Sequence, residues 1–175
     1  MNKFRKILSV FYRKQIFLLD GINNRLFTDR YYKYLKRMGV NFTGIPNYIS
    51  SKAYIDGQGL KLITIGKDVV ISRNVTLLTH DYSPETALHA IGKGTVDRRL
   101  HINKSIIIGN NTFIGANSTL LPGTTIGDNC IIGACSVIKG NVPNNSVIIG
   151  NPARIIEKTN QLAYKFVKDG SLLKE

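Results

Sequence analysis

Between residues 106 and 142 an aliphatic side chain returns at every sixth position: Ile108, Ile114, Leu120, Ile126, Ile132 and Ile138. Glycine follows four of them, at Gly109, Gly115, Gly127 and Gly133. Three positions after each aliphatic come Asn111, Asn117, Gly123, Asn129, Cys135 and Asn141. One further on come Thr112, Ser118, Thr124, Cys130, Ser136 and Val142, mostly small residues. The same phase recurs upstream as Ile65, Ile71 and Leu77, with Asp68 and Asn74 in the third slot, giving nine matched hexads. A period of six fits neither an amphipathic helix nor an alternating strand. It fits a short strand followed by a sharp corner. Asn, Asp and Gly tolerate left-handed backbone, so their shared slot marks the corner. The aliphatic slot then points inward, and three faces close a triangular coil of 18 residues with Ile108 over Ile126 and Ile114 over Ile132. A β-sandwich would require this spacing to be coincidental. The pattern predicts an all-β parallel β-helix whose end coils need capping.

Outside the hexads the pattern changes. Residues 1–39 predict a basic amphipathic helical arm, with Phe4, Ile7, Leu8 and Phe11 on one face and Arg5, Arg13 and Lys14 largely off it. A second helix is expected to start after Thr28 or Asp29, to bury Tyr31, Leu35 and Met38, and to stop at Gly39. The β-helix is expected over 40–157. Residues 81–100, which carry Pro84, Gly92, Gly94 and mixed charge, read as an excursion loop thrown out from one coil. Residues 158–175 read as a short C-terminal helical tail with Leu162 and Phe166 as its apolar contacts.

Charge and composition narrow the functional classes. Of the net charge of +13, residues 1–40 supply ten Lys/Arg against two Asp, so the body is close to neutral. Strong basicity suggests nucleic acid or an anionic membrane. No nucleic-acid-binding module accompanies it, and no nucleic-acid partner is expected. The arm reads either as a cap on the first coil or a neighbouring subunit, or as a peripheral membrane contact through residues 1–14. No run approaches the roughly 20 apolar residues of a membrane span, and the Gln15–Leu19 patch lacks the features of a signal peptide. Cys130 and Cys135 match neither a disulfide framework nor a zinc site, which favours a reducing, cytoplasmic compartment.

These residues carry a family resemblance. Ile126-Gly127-Asp128-Asn129, Ile132-Gly133-Ala134 and Gly150-Asn151-Pro152-Ala153-Arg154 make the chain similar to the hexapeptide-repeat acyltransferases over roughly residues 40–157, most strongly over 105–157. The resemblance implies left-handed coiling, a homotrimer with active sites between subunits, and acetyl-CoA as donor. His80 ends a repeat strand, precedes the excursion and matches the family's catalytic position through Leu77-Leu78-Thr79-His80. Imidazole titrates near neutral pH and can accept a hydroxyl proton as an acceptor oxygen attacks a thioester. The resemblance also places a backbone N–H donor for the oxyanion at Ala116, the pantetheine arm along Ala134, and the nucleotide end at Arg154, Lys139 and Lys158, whereas relatives often carry lysine at the position of Gly140. Asp81, Tyr82, His89 and His101 are candidate acceptor contacts, with Asp81 a less favoured orienting partner for His80.

Thr79-His80-Asp81-Tyr82-Ser83 resembles the bacterial capsule, exopolysaccharide and lipopolysaccharide O-acetyltransferases. That implies a sugar hydroxyl on a glycan or lipid-linked precursor, with the enzyme possible at the inner face of the cell membrane. Galactoside, maltose, amino-sugar nucleotide and antibiotic acceptors stay open, as does a non-catalytic β-helix scaffold. A zinc enzyme on this fold needs three converging histidines. His80, His89 and His101 lack that spacing, so no metal is expected. Serine acetyltransferase is disfavoured because its large N-terminal helical domain has no counterpart here.

Overall fold

The computed structural model describes residues 11–57, 59–97 and 99–170. Its centre is a triangular coil of three parallel faces. The first face stacks Asn41–Phe42, Ile63–Ile65, Ile106–Ile108, Thr125–Ile126 and Asn141–Val142. The second stacks Tyr48–Ile49, Val70–Ile71, Phe113–Ile114, Ile131–Ile132 and Ser146–Gly150, and the third Tyr54–Ile55, Thr76–Leu77, Thr119–Leu120 and Val137–Ile138. Phe113 pairs with Ile131, Thr119 with Val137 and Ile107 with Thr125, the expected 18-residue advance. All nine inward aliphatics of the hexads are at most 1% exposed.

The corners form where the residue types predict them. Asp68, Asn74, Asn111, Asn117, Gly123, Asn129 and Cys135 all have φ between 49° and 87°. The asparagines also tie successive coils together. The Asn111 side-chain amide donates to Asn129 at 2.8 Å, Asn129 to Asn145 at 3.1 Å and Asn74 to Asn117 at 3.1 Å. The buried hydroxyls of Thr112, Ser118 and Thr124 donate to backbone carbonyls of the next coil. Gly115 is required by close approach: a Cβ there would lie 2.5 Å from the Ala134 nitrogen. Cys130 is buried, and burial raises its thiol pKa; Cys135 is an exposed free thiol.

The expected pattern fails at both ends of the coil. Asn141 is not a corner. The last coil is shorter, with Thr125 paired to Asn141 and Ile131 to Val147, so the turn falls on Gly140 at φ 81° and Val142 points inward at 5% exposure. Upstream, Asn41–Phe42, Tyr48–Ile49 and Tyr54–Ile55 form a coil that the hexads do not mark. Its corners are longer: Tyr48 pairs with Val70 and Tyr54 with Thr76, and a 3₁₀ turn at Leu60–Leu62 lies within it. After the coil, Ala153–Lys158 runs antiparallel beside Ser146–Gly150 rather than completing another coil.

Helices cap the start and finish. Helix α1 covers residues 11–17 of the described chain, and residues 1–10, with Phe4, Ile7 and Leu8, lie outside it. Ile16 is buried and Tyr12, Phe17 and Leu19 pack on the core. Phe11, expected to share the apolar face, is instead 63% exposed, because the inward face is set by Tyr12 and Ile16, one turn apart. Helix α2, Asn24–Met38, starts before the expected Thr28 or Asp29, because the Asn23 side chain accepts the Leu26 N–H at 2.9 Å. Gly39 ends it at φ 115°. Phe27, which the later start would have excluded, is fully buried, stacked on Tyr31 at 5.4 Å.

The excursion is not a loop. His80–Asp81 pairs antiparallel with Ile102–Asn103, and helix α3, Ser83–Ala90, sits between them. Asp81 Oδ1 accepts the Ser83 N–H at 2.8 Å and Pro84 lies in the first turn, a start signal the glycines and prolines obscured. Helix α4, Thr159–Asp169, has no buried residue, and Phe166 is 45% exposed instead of serving as an apolar contact. No helix among the described residues is long and apolar enough to cross a membrane.

Ile126→Ala, at a position 1% exposed between coils, is expected to cost about 2–5 kcal/mol. Ile107→Ala, outward on the adjoining strand and 41% exposed, is expected to cost less than about 1 kcal/mol. Urea unfolding of the two variants measures the difference.

Candidate active site

His80 lies at the edge between the third and first faces, where Thr76–Leu77 leaves the coil for the excursion. Its Nδ1 is 2.5 Å from Asp56 Oδ2. Asp56 is 1% exposed and also accepts the Thr79 hydroxyl at 2.5 Å and the Thr79 N–H at 3.2 Å. A carboxylate can only accept, so the bonded His80 Nδ1 carries a proton and Nε2 is the nitrogen left to exchange one. The imidazole is 22% exposed. This arrangement can act as an oriented base, because one nitrogen is anchored to a buried acid and the other is left to exchange a proton.

Asp56 is the functional residue that the sequence reading missed. It follows Ile55 in the unmarked first coil, and pairing of Tyr54–Ile55 with Thr76–Leu77 brings it beside Thr79 and His80. Its N–H donates to the Leu77 carbonyl at 3.2 Å. The available signal was an aspartate directly after an inward aliphatic one coil before the histidine. Gly59 helps hold the same spot, because a Cβ there would lie 1.8 Å from Thr79 Oγ1.

The excursion supplies the neighbours of His80. The Tyr82 ring meets the imidazole edge-on at 5.5 Å and packs on His101 at 4.6 Å. Asn103, opposite His80 in the hairpin, bonds His101 at 3.1 Å. Thus Tyr82 lies against the His80 imidazole and His101 lies beyond it, against Tyr82. Asp81 and His89 do not form part of this group. Asp81 accepts the Ser83 N–H at the start of α3, and the Ser83 backbone and hydroxyl, followed by other contacts, hold its carboxyl below its usual value. His89 Nε2 is 3.0 Å from the Thr95 carbonyl and 3.1 Å from Glu85 inside the excursion.

Glu85 organises that excursion. Only 4% exposed, it accepts N–H groups from Thr95 at 2.7 Å and Leu100 at 2.8 Å, together with the Thr95 hydroxyl. Burial pushes its carboxyl pKa up, but these donors outweigh burial and the net shift is downward.

The expected donor-side residues occupy other edges. Ala116 and Ala134 stack at the edge between the second and third faces, with the Cys135 N–H donating to the Ala116 carbonyl at 2.9 Å. Among the described residues no backbone carbonyl takes the N–H of either alanine. The third face separates this edge from His80, so one chain does not bring them together. Lys139 and Arg154 meet at the C-terminal end around a cavity of about 490 Å³ with Asn141 and Pro152. Lys158 is exposed, and its backbone N–H is taken by Gln161 at the start of α4, apart from that cavity lining. No group of three or more His, Cys, Asp or Glu able to hold a metal occurs among the described residues.

Comparison with known proteins agrees with the repeat and the fold. Residues 105–140 match the family model for bacterial transferase hexapeptide (six repeats). The candidate lipopolysaccharide biosynthesis O-acetyl transferase WbbJ of Escherichia coli is 34% identical over 109 residues, 61% of this chain and 56% of that protein. Galactoside O-acetyltransferase of the same species is 38% identical over 98 residues, 56% of this chain and 45% of the relative. The chain therefore spans about half the length of these curated relatives. In fold, it superposes on galactoside acetyltransferase in complex with coenzyme A with a TM-score of 0.59 at 23% identity, covering 95% of this chain and 86% of that one.

Because the donors to Glu85 lower its carboxyl pKa, the ionised group favours the ordered excursion above the ordinary carboxylate range. That contribution is lost as pH falls through the lowered value. Glu85→Gln at neutral pH is expected to speed hydrogen exchange at the Thr95 and Leu100 amides, while the Ile114 and Ile132 amides keep their protection. Acidifying the wild type through that lowered value should produce the same selective loss.

Proposed function

We propose that the chain is a hexapeptide-repeat transferase, as the match over residues 105–140 supports, and that it is an acetyl-CoA-dependent O-acetyltransferase acting on a sugar hydroxyl. The observation that carries the reading is the pairing of His80 with buried Asp56 at the foot of an ordered excursion. His80 Nε2 removes the proton from the acceptor hydroxyl as its oxygen attacks the acetyl thioester carbonyl. The tetrahedral intermediate collapses with loss of the CoA thiolate, which takes up the proton held by the imidazolium. Asp56 fixes the tautomer and stabilises the transient positive charge.

The remaining parts follow from where the residues lie. The N–H of Ala116 suits the developing oxyanion, and the small side chain of Ala134 leaves room for the pantetheine arm. Lys139 and Arg154, facing one cavity, suit the anionic nucleotide end; Lys158 is a secondary cation for it. With His80 and the alanines on different edges, the complete site is assembled between neighbouring subunits of a homotrimer. Tyr82 and His101 face the acceptor, and their paired rings suit the apolar face of a pyranose. The WbbJ similarity favours a hydroxyl on a glycan or lipid-linked precursor of the cell envelope. Two free thiols suit the cytoplasm as the compartment.

His80→Ala is expected to lower kcat by about 10²–10⁴ while leaving acetyl-CoA affinity and Tm nearly unchanged. Asp56→Asn should lower kcat by the same order, through the wrong tautomer. Acetyl-CoA consumption with a panel of sugars, nucleotide-sugars and lipid-linked oligosaccharides measures both and identifies the acceptor. A normal rate in well-folded His80→Ala would overturn the reading.

Light scattering should give a mass near three times the 19.5 kDa of one chain. A fully active monomer would exclude the shared site.

A further inference from the structure

The helical cap at the start of the coil has two sides with opposite character. Inward, Ile16, Phe27, Tyr31, Tyr34 and Leu35 are buried in one aromatic and aliphatic cluster. Outward, Phe11 at the start of α1 and Leu18 in the turn that directly follows it are 63% and 71% exposed. In the turn between the helices Ile22 is 82% exposed, and Leu26 follows one turn later at 38%. This apolar tip is held rigidly to the coil: the carboxyl of Asp20 accepts the Tyr48 hydroxyl at 3.3 Å and the Ser51 hydroxyl.

Lys14 and Arg25 adjoin the tip in sequence, and further cations run along α2 to Lys36 and Arg37 in its last turn. Residues 11–40 hold seven Lys/Arg against Asp20 and Asp29. Asp29 is paired with Lys33 at 2.8 Å, and Asp20 is turned into the coil. Lys14, Arg25, Arg30, Lys36 and Arg37 are exposed. An exposed apolar edge bounded by uncompensated cations has the chemistry of a surface that lies at an anionic lipid interface. A second copy of the same face would set like charges against each other, which disfavours self-association there.

We propose that the α1–α2 tip docks on an anionic phospholipid surface, inserting Leu18 and Ile22 between headgroups while Lys14 and Arg25 meet the phosphates. α1 is then both a cap and a membrane contact, with its inner face serving the fold and its outer face the bilayer. The inference is independent of the chemistry at His80.

The full chain is sedimented with phosphatidylcholine vesicles containing or lacking phosphatidylglycerol. Binding is expected only with phosphatidylglycerol and should weaken with added salt. Leu18→Ser with Ile22→Ser should reduce the bound fraction several-fold at unchanged Tm, and Lys14→Glu with Arg25→Glu should remove the salt-dependent part. Val167→Ser, equally exposed on α4, should bind as the wild type does. Because the chain has no tryptophan, Ile22→Trp provides a single reporter whose emission should shift to the blue on phosphatidylglycerol vesicles. Absence of binding, or unchanged binding in the Leu18/Ile22 variant, would overturn the proposal. So would a change in the mass of that variant by light scattering with vesicle binding intact, which would make the tip a subunit interface.

Discussion

The structure depends on one local constraint, the left-handed backbone at each corner. Placing an ordinary L-residue there costs roughly 1–2 kcal/mol, which glycine avoids and asparagine partly offsets through local hydrogen bonds. Seven corners in the regular coils meet that condition. Because the corner is sharp, strands of two or three residues suffice, and every sixth side chain falls over its counterpart in the coil before. Such strands have no stability alone. They persist because each is paired above and below, and because the asparagine amides repeat the pairing at the corners.

The same constraint explains how much could be read from the sequence. Where Asn, Asp or Gly recurs with an aliphatic three residues earlier, the inward set and the corners follow directly, from Ile65 to Ile138. Legibility ends where coil length changes. The turn at Gly140 removes two positions from the spacing, and Asn141 passes for a corner although it is a strand residue. The first coil hides behind its longer turns, and Asp56 is hidden with it. The excursion is illegible for a different reason. Its glycines and Pro84 resemble loop composition, whereas its order comes from one buried carboxylate whose partners lie ten and fifteen residues away.

The site shows how a one-dimensional scaffold builds a local arrangement. His80 is positioned by the hairpin strand it opens, His80–Asp81, rather than ending the repeat strand, but its orientation comes from the preceding coil, through the pairing of Ile55 with Leu77. A shift of register between these coils would carry Asp56 away from the imidazole without disturbing the imidazole's own backbone. The length of the first coil thus controls the chemistry of the second. The column at Ala116 and Ala134 obeys the regular 18-residue advance instead, so these two edges of the coil are governed by different parts of the repeat.

The excursion closes at its base. The Lys104 N–H donates to the Thr79 carbonyl at 2.9 Å, and Thr119 rests directly beside Thr76 as though no residues intervened. The scaffold registers only that the chain leaves and returns at one point. Closing a longer insert at that point becomes costlier only logarithmically with its length. The segment between Thr79 and Lys104 is therefore an exchangeable cassette: evolution or design can splice in another and change what approaches His80, while the coils below inherit none of the consequences.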